Sequence, residues 1–478
     1  MLRMIIQKEL VEKLLNAQFL VASAISVLLI IATIVTLTGS YRDEVADYND
    51  RQLTQEDFIA HYGHLNRFGW MAQPLRPPPT YGFLVEGIDR EAKQENFLSN
   101  PMPVLFSEID LIVIVTTILS LFGILSSFNA ICGEREAGML RQMLSTNISR
   151  STILFGKFIG GSIGLLLPFA IGILGGLIFI SFDSKIQLGG LDFGVFSLII
   201  LVSCIYLSFF YALGLYFSSR SQSSGVAMLK SLFAWVVLVL LLPNISPFLA
   251  ARLYHLPSKT KIDMEAWSIT SDERDKIVAQ RTNEMIRTKY ADIAADLWKS
   301  SAGVANVELR QKLDRDPALK ARFAQYQNNW MTMVNQVNET QQAKSTLLYK
   351  DFEVRSHYQE KIAATVASIS PYGNYVFIVS DLTETGIQAD NHWQSQRENY
   401  FTSMNPILMS IYNDAVKKNP RFSVNDFLDL RGFPRFTYQP VPLWDKVDSS
   451  LPQVGVLVFF NILFLAGAWM SFMKYDVR

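Results

Sequence analysis

The sequence predicts an all-α polytopic membrane protein with six transmembrane helices and a large, mainly helical extracytoplasmic domain. Half of the 478 residues are apolar and 18% are charged, a balance that is unusual for a soluble chain of this length. Six runs are long and apolar enough to cross a bilayer, which takes about 20 residues per helix. The stretches between them carry the charge density of soluble domains, so the chain is expected to occupy both lipid and water.

The predicted spans have no internal Lys, Arg, Asp, Glu or His. They cover about residues 19–38, 110–131, 158–182, 193–217, 230–251 and 451–473. Ionisable residues within a bilayer usually mark ion paths or proton relays. Their absence disfavours an ion channel and a proton-coupled transporter, and it favours an energy source outside the lipid. The first run is too long for the core of a signal peptide, so it is expected to remain as an anchor.

The Lys and Arg residues of the short connections predict the orientation, because cytoplasmic loops carry an excess of them. Such residues precede the first span, separate the second from the third and the fourth from the fifth, and follow the sixth. Both termini, including a tail at 474–478, are therefore predicted to be cytoplasmic. Segments 39–109 and 252–450 are predicted to form two extracytoplasmic domains.

Two parts outside the spans are predicted to be helical. Residues 1–18 are expected to form a cytoplasmic helix on the membrane surface, with apolar residues on one face and Lys8 and Glu9 mostly elsewhere. A simple extension of the first span is the alternative. In the larger domain, residues 263–370 are expected to form long antiparallel helices. Pro406 is expected to break a later helix.

The loop between the second and third spans, residues 132–157, has more helix formers than a passive connection needs. Its sequence from Ile131 to Lys157 is ICGEREAGMLRQMLSTNISRSTILFGK. On a helix the apolar residues would form one strip and the polar residues would lie opposite it, an arrangement that fits a partner's groove. The strip consists of Met139, Leu140, Met143 and Leu144, and the polar side of Glu134, Arg135, Glu136, Arg141 and Gln142. A solvated connector would not need four large apolar residues here.

This loop resembles that of permease subunits of type-2 ABC exporters, which has the approximate pattern E-R-E-x-G-T-L, a Leu-Leu pair, P-I-S-R and a later Lys. The matching residues are Glu134, Arg135, Glu136, Gly138, Leu140, Leu144, Ile148, Ser149, Arg150 and Lys157. Met139 replaces the usual Thr, and Asn147 the usual Pro. In that family the segment is the coupling helix, which docks into the ATPase. The opening Gln7-Lys8-Glu9-Leu10 is similar to the family's surface helix.

The resemblance extends over essentially the whole chain. A subgroup of the family has a large outer insertion between its fifth and sixth helices and a Phe-x-x-Tyr-Asp-Val-Arg tail, which matches Phe472 to Arg478. The resemblance implies that the chain is a bacterial inner-membrane permease, which works as a homodimer or as a pair with a similar chain. ATP and Mg would be bound by a separate ATPase subunit, because the sequence has no G-x-x-x-x-G-K-[ST] loop.

Two functions from different classes remain open. The first is a permease that moves a substrate across the membrane, with export favoured. The second is a mechanotransmitter, whose outer helical domain drives an envelope protein without passing cargo through the membrane. The large outer domain motivates the second hypothesis.

Other chemistry has little support in the sequence. Net charge is zero, which gives no reason to expect a nucleic-acid partner. His61 and His64 are one helical turn apart, but no further ligand stands at a suggestive spacing, so no metal site is predicted. No pattern of nucleophile, base and acid is present, and no catalytic residue is assigned.

Overall fold

The computed structural model describes residues 1–65, 72–86, 109–145, 148–183, 186, 189–301, 312–419, 422, 426–430 and 432–474. These residues form helices and loops, with one isolated bridge between His64 and Phe427. The predicted all-α fold is therefore confirmed for the described part. Asn147 and the tail residues 475–478 lie outside the described residues.

We number the helices in chain order. They are α1 (Leu2–Leu15), α2 (Ala17–Tyr62), α3 (Leu111–Leu125), α4 (Cys132–Glu136), α5 (Met139–Ser145), α6 (Arg150–Ser181), α7 (Gly190–Arg220), α8 (Ser224–Leu253), α9 (259–289), α10 (Ala294–Ser301), α11 (Pro317–Ala367), α12 (Pro371–Leu382), α13 (Ile387–Lys418) and α14 (Leu443–Met473).

Five of these helices, α2, α6, α7, α8 and α14, are long and apolar enough to cross a membrane. The second predicted span, 110–131, corresponds to the shorter apolar helix α3. Its helix ends at Leu125, and the next residues form turns up to Ile131. Helix α3 therefore covers residues 111–125 of the predicted span, and the polar residues Ser126, Ser127 and Asn129 lie in the turns that follow it.

The first span is longer than its apolar part. Asn16 separates α1 from α2 and caps α2, because its side chain accepts hydrogen bonds from the backbone N–H groups of Gln18 and Phe19. The helix then continues as far as Tyr62, for 46 residues. Residues 39–62, predicted to belong to a separate domain, are thus the second half of the same helix.

Helix α7 forms the centre of the apolar core. Tyr206, Phe209, Phe210 and Tyr211 are fully buried, and α7 packs against α3, α6, α8 and α14. Both α3 and α8 contain a π-helical turn, at Ile114–Leu119 and Val236–Leu241 respectively. Next to these turns, the indole N–H of Trp235 donates to Ser120 Oγ over 2.8 Å.

The chain divides into two compact units, Met1–Asn244 with Ala367–Arg478, and Ile245–Val366. The predicted grouping of 252–450 into one domain therefore differs from the structure. The reason is that α12 packs against both α7 and α14 of the first unit. On the side of α7, Tyr375 Oη and Ser203 Oγ form a 2.8 Å hydrogen bond.

In the first unit, the end of α2, helix α13 and residues 428, 430 and 433 share a small core. Ile59, Leu408 and Phe433 are buried in it, and the backbone N–H of Leu428 donates to Gly63 O over 2.6 Å. Pro406 lies within α13, which continues through it. The expected break there is wrong: Pro406 removes one backbone N–H donor, but the helix is continuous from Ile387 to Lys418.

The second unit is an antiparallel pairing of α9 and α10 with α11. Tyr349 Oη donates to Asp263 Oδ1 near one end, and Trp330 Nε1 donates to Thr282 Oγ1 further along, both over 3.1 Å. This confirms the predicted antiparallel helices. Asp316 caps α11 by accepting from the N–H groups of Ala318 and Leu319.

Candidate functional site

Loop 132–157 contains two short helices, α4 and α5, where a single helix was expected. They are separated by Gly138, whose φ of +73° lies in the left-handed region. Glycine has no Cβ and adopts this conformation without the steric cost that other residues meet. The predicted helix through Glu134 and Leu144 is therefore broken, because the chain turns at Gly138.

The predicted apolar strip is divided between the core of this chain and its surface. Leu140 is only 1% exposed, and Met143 and Leu144 are partly buried against the same cluster. The buried members of this cluster are Ile5, Ile131, Leu140, Ile153, Leu154, Leu215, Ala468 and Phe472. Leu140 therefore packs inside its own chain, which corrects the prediction that it inserts into an ATPase.

A different face of the loop is open. Met139 is 45% exposed, and Arg141, Gln142 and Ser145 are also exposed on α5. Beside them, a Cβ added at Gly138 would meet no atom within 4 Å. Helix α5 thus exposes one large apolar side chain among polar residues.

The carboxylate of Glu134 joins the loop to α1 and α6. Lys157 Nζ lies 2.8 Å from Glu134 Oε1 and 2.6 Å from Glu9 Oε1. The three side chains are each less than 10% exposed. Removal of either sign of charge would leave the other buried without compensation, which is costly.

Two further lysines of α1 surround this ion cluster. Lys8 Nζ donates to Glu134 Oε1 over 3.1 Å. Burial lowers the pKa of Lys8, but the nearby carboxylates, Glu134 above all, outweigh it and the pKa is raised. Burial lowers the pKa of Lys13 to about 8. Lys13 Nζ donates to Ser126 O over 3.1 Å and lies 4.5 Å from the ring centre of Tyr211.

Glu136 and Arg135 bind the connection between α7 and α8. The carboxylate of Glu136 accepts from the backbone N–H of Ser224 over 2.7 Å and from its hydroxyl over 2.9 Å. These bonds at the start of α8 lower the pKa of Glu136. The guanidinium of Arg135 donates to Ser221 O. The loop thus binds the first turn of α8 and the residue Ser221 that precedes it.

The remaining contacts reach α7 and α14. Arg150 Nη1 donates over 2.7 Å to Met473 O, the last residue of α14. Ser218 Oγ accepts from the backbone N–H groups of Ile131 and Cys132, over 3.0 and 3.1 Å. Each end of the loop is therefore fixed to a different helix.

A row of glycines on α6 receives α1. A Cβ atom added at Gly156 would lie 2.6 Å from Ile5 Cγ2. One added at Gly160 would lie 2.9 Å from Glu9 Cβ, and one added at Gly164 would lie 3.0 Å from Lys13 Cδ. Contacts advance by four residues on both helices, so α1 and α6 run in the same direction here. The absence of side chains allows this close approach. Further along α6, Gly172 and Gly176 receive Ile30 and Ile34 of α2 in the same way.

Most of the residues predicted for the site lie close together. Lys8, Glu9, Glu134, Arg135, Glu136 and Arg150 take part in the contacts described above, and Leu10 is partly buried on α1. Sequence reasoning missed three serines that bind this part of the chain: Ser218 accepts from the backbone of Ile131 and Cys132, Ser221 from Arg135, and Ser224 donates to Glu136. A serine before an apolar run is a signal for a helix start and could have identified Ser223, the residue at which α8 is about to begin.

Glu9, Glu12 and Glu134 have carboxylate oxygens close enough to share a metal ion. The ammonium of Lys157 already lies within hydrogen-bond distance of two of these carboxylates, and that of Lys8 within 3.5 Å of Glu12. The lysines thus supply the positive charge that these carboxylates need.

Comparison with known proteins identifies the family. The family model described as "ABC-2 family transporter protein" matches residues 3–476. "Probable ABC transporter permease protein NosY" of Pseudomonas aeruginosa is 32% identical over 156 residues, which is 31% of this chain and 53% of that protein. The protein of the same name from Stutzerimonas stutzeri is 31% identical over 119 residues, 24% of this chain and 43% of that protein.

The chain thus spans about half the length of the curated relatives that it matches. The family match covers nearly the entire chain and agrees with its apolar helices. The chain is therefore a multi-pass membrane protein that belongs to the ABC-2 family of transporter proteins.

Proposed function

We propose that this chain is the transmembrane permease subunit of an ATP-driven ABC exporter. A separate ATPase, which binds ATP and Mg, docks on the exposed face of α5, and two permease chains form the complete path in the bacterial inner membrane. The observation that carries the proposal is the set of contacts made by Glu134, Glu136 and Arg150. Glu134 contacts lysines of α1 and α6, Glu136 binds the start of α8, and Arg150 binds the end of α14.

Through these contacts, a displacement of the loop caused by ATP hydrolysis would be transmitted to the helices. A force on Met139 passes into α4 and α5, whose buried Leu140 prevents the loop from yielding by itself. Charged hydrogen bonds then carry the displacement to the ends of several helices. Leu140 and the ion cluster serve to stiffen the loop, and Met139 with its polar neighbours contacts the ATPase.

The decisive experiment is purification of the tagged full-length chain from its native membrane, with the associated ATPase identified and its activity measured in nanodiscs. Met139→Asp is expected to release the ATPase while the chain stays folded, because Met139 is exposed. Met264→Asp is the matched control, since Met264 is also exposed, at 62%, but lies in the other unit. Full retention of ATPase by the Met139 variant would contradict docking on α5.

The proposed orientation has its own test. In a background with Cys132→Ala and Cys204→Ala, an impermeant thiol reagent applied to spheroplasts should label Thr346→Cys and spare Ser145→Cys. Both positions are exposed in the fold, so the membrane alone would explain the difference. Equal labelling of the two variants would contradict cytoplasmic placement of loop 132–157.

A mechanotransmitter is the second candidate, supported by the unit Ile245–Val366. Its helix α11 has 51 residues, which corresponds to a length of about 75 Å. An ATPase stimulated by lipid or small-molecule substrates in liposomes would favour transport. Stimulation only by an envelope protein would favour the mechanotransmitter.

A further inference from the structure

Helix α12 is attached to α8 at its start and to α14 just after its end. At its start, Ser370 Oγ donates to Leu238 O, inside the π-helical turn of α8. After its end, Glu384 Oε1 accepts from Lys446 Nζ of α14 over 2.6 Å. The short helix therefore links α8 to α14 through a neutral hydrogen bond at one end and an ion pair at the other.

The ion pair is buried among aromatic and polar groups. The side chains of Glu384 and Lys446 are 6% and 5% exposed. Lys446 Nζ lies 5.6 Å from the ring centre of Tyr81, whose hydroxyl donates to Asp192 of α7 over 2.7 Å. Apolar residues of similar volume often stabilise such a position as well or better, because no charge must leave water. Stability alone does not explain a pair of charges here.

Glu384 also has an unfavourable backbone conformation. Its φ of +60° makes it the one non-glycine residue with positive φ in the described part of the chain. A side chain in this region brings Cβ close to a carbonyl oxygen. The flanking turn keeps it there, since Thr383 N–H donates to Val379 O and Thr385 N–H to Ser380 O, both over 2.9 Å. Strain of this kind is concentrated at sites that switch between conformations.

We infer that Glu384 and Lys446 form a latch that opens during the transport cycle. These positioning residues hold the end of α12 against α14 in the present conformation. When α8 and α14 move relative to each other, the pair separates, both charges gain water, and Glu384 leaves the left-handed region. Hydration and relief of strain offset the loss of the ion pair, so the latch is reversible. This inference rests on the proposed ATP-driven function.

A reversible crosslink tests the opening. In the cysteine-free background described above, Glu384→Cys with Lys446→Cys would be bridged by a short bis-methanethiosulfonate in the complete complex. We expect ATP turnover in nanodiscs to fall by about 10-fold or more and to recover on reduction, because gating motions limit turnover. An unchanged rate in the crosslinked complex would overturn the latch.

The matched control crosslinks the other end of α14. Trp469 Nε1 donates to Ser151 Oγ over 2.9 Å, next to the contact of Arg150 with Met473. Because α14 and the start of α6 are expected to move together, bridging Ser151→Cys and Trp469→Cys should change turnover by less than about 2-fold. An equal loss with both crosslinks would overturn a role specific to the latch.

A second measurement needs no ATPase. We expect the full-length double variant Glu384→Gly with Lys446→Met to unfold at a higher temperature than the original chain, because it removes both the strain and the buried charges. Each single variant leaves one buried charge without its partner, and Lys446→Met also keeps the backbone strain at Glu384, so both should unfold below the double variant. A double variant that melts below the original chain would overturn the inference. If no ATPase associates with the chain, the proposed function fails, while this comparison still tests the latch.

Discussion

Lys157 donates a 2.6 Å hydrogen bond from Nζ to Oε1 of Glu9, and both side chains are buried where α1 packs on α6. Lys157 also contacts Glu134, so one ammonium on α6 joins α1 to α4. The glycines of α6 bring the two helices close enough for this contact. The stability of the region where α1, α4 and α6 meet is therefore expected to depend on a few side chains.

Lys157→Met should destabilise the protein by about 3–5 kcal/mol, because it leaves the carboxylates of Glu9 and Glu134 buried without their shared cation. Denaturant unfolding in detergent micelles measures this. Lys8→Met is the control: its side chain is 39% exposed, and its loss should cost about 0–1 kcal/mol. Equal effects of the two substitutions would contradict the central position of Lys157.

Gly160→Ala should loosen α1 from α6, since the new Cβ would lie 2.9 Å from Glu9 Cβ and 3.1 Å from Ile6 O. Overpacking of this kind typically costs about 1–3 kcal/mol. The readout is the melting temperature together with protease release of the N-terminal segment. Gly225→Ala, in open space on α8, should be neutral or slightly stabilising because alanine favours the helix. Faster proteolysis of both variants would argue against a specific contact.

Leu140→Ala should lower the free energy of unfolding by about 2–5 kcal/mol, since it empties part of a buried cluster. Met139→Ala, one residue earlier and exposed, should change it by no more than about 0.5 kcal/mol. Unfolding curves of the purified chain without any ATPase separate these effects from docking. A mild effect at Leu140 would mean that this side chain is available to a partner after all.

Asp381, in the last turn of α12 and outside the five spans, gives a pH dependence. Burial raises its pKa from 3.8 to about 6, although a hydrogen bond from the backbone of Gln388 acts in the opposite direction. The folded state therefore holds this proton more tightly than the unfolded state. The contribution of Asp381 to the free energy of unfolding should therefore fall as the pH rises from about 4 to about 6, and it should stay constant above that range.

Asp381→Asn should remove this slope and raise stability at pH 7 by up to about 3 kcal/mol. Thermal unfolding of both proteins across this pH range is the measurement. Parallel curves for the two proteins would show that another group is responsible.

The sequence alone predicted the helical membrane fold, the approximate positions of the long spans and the loop that carries the candidate site. Hydropathy is a local property, so a run such as 193–217 can be recognised without knowledge of its neighbours. The helix start at Asp316 was also predictable, because a cap forms within a few residues. The extension of α2 to Tyr62 was missed since helical propensity continues after hydropathy ends.

Only the tertiary structure decided what the residues of the site contact. An apolar strip on α5 fits a partner chain and the chain's own core equally well, and packing placed Leu140 inside. Likewise, Glu9 and Lys157 are 148 residues apart, and no local pattern relates them. Helix α12 has only 12 residues, too few for a hydropathy window, so its position between α8 and α14 depends on long-range contacts. Local sequence determines which segments become helices, whereas the meeting of distant side chains depends on how those helices pack.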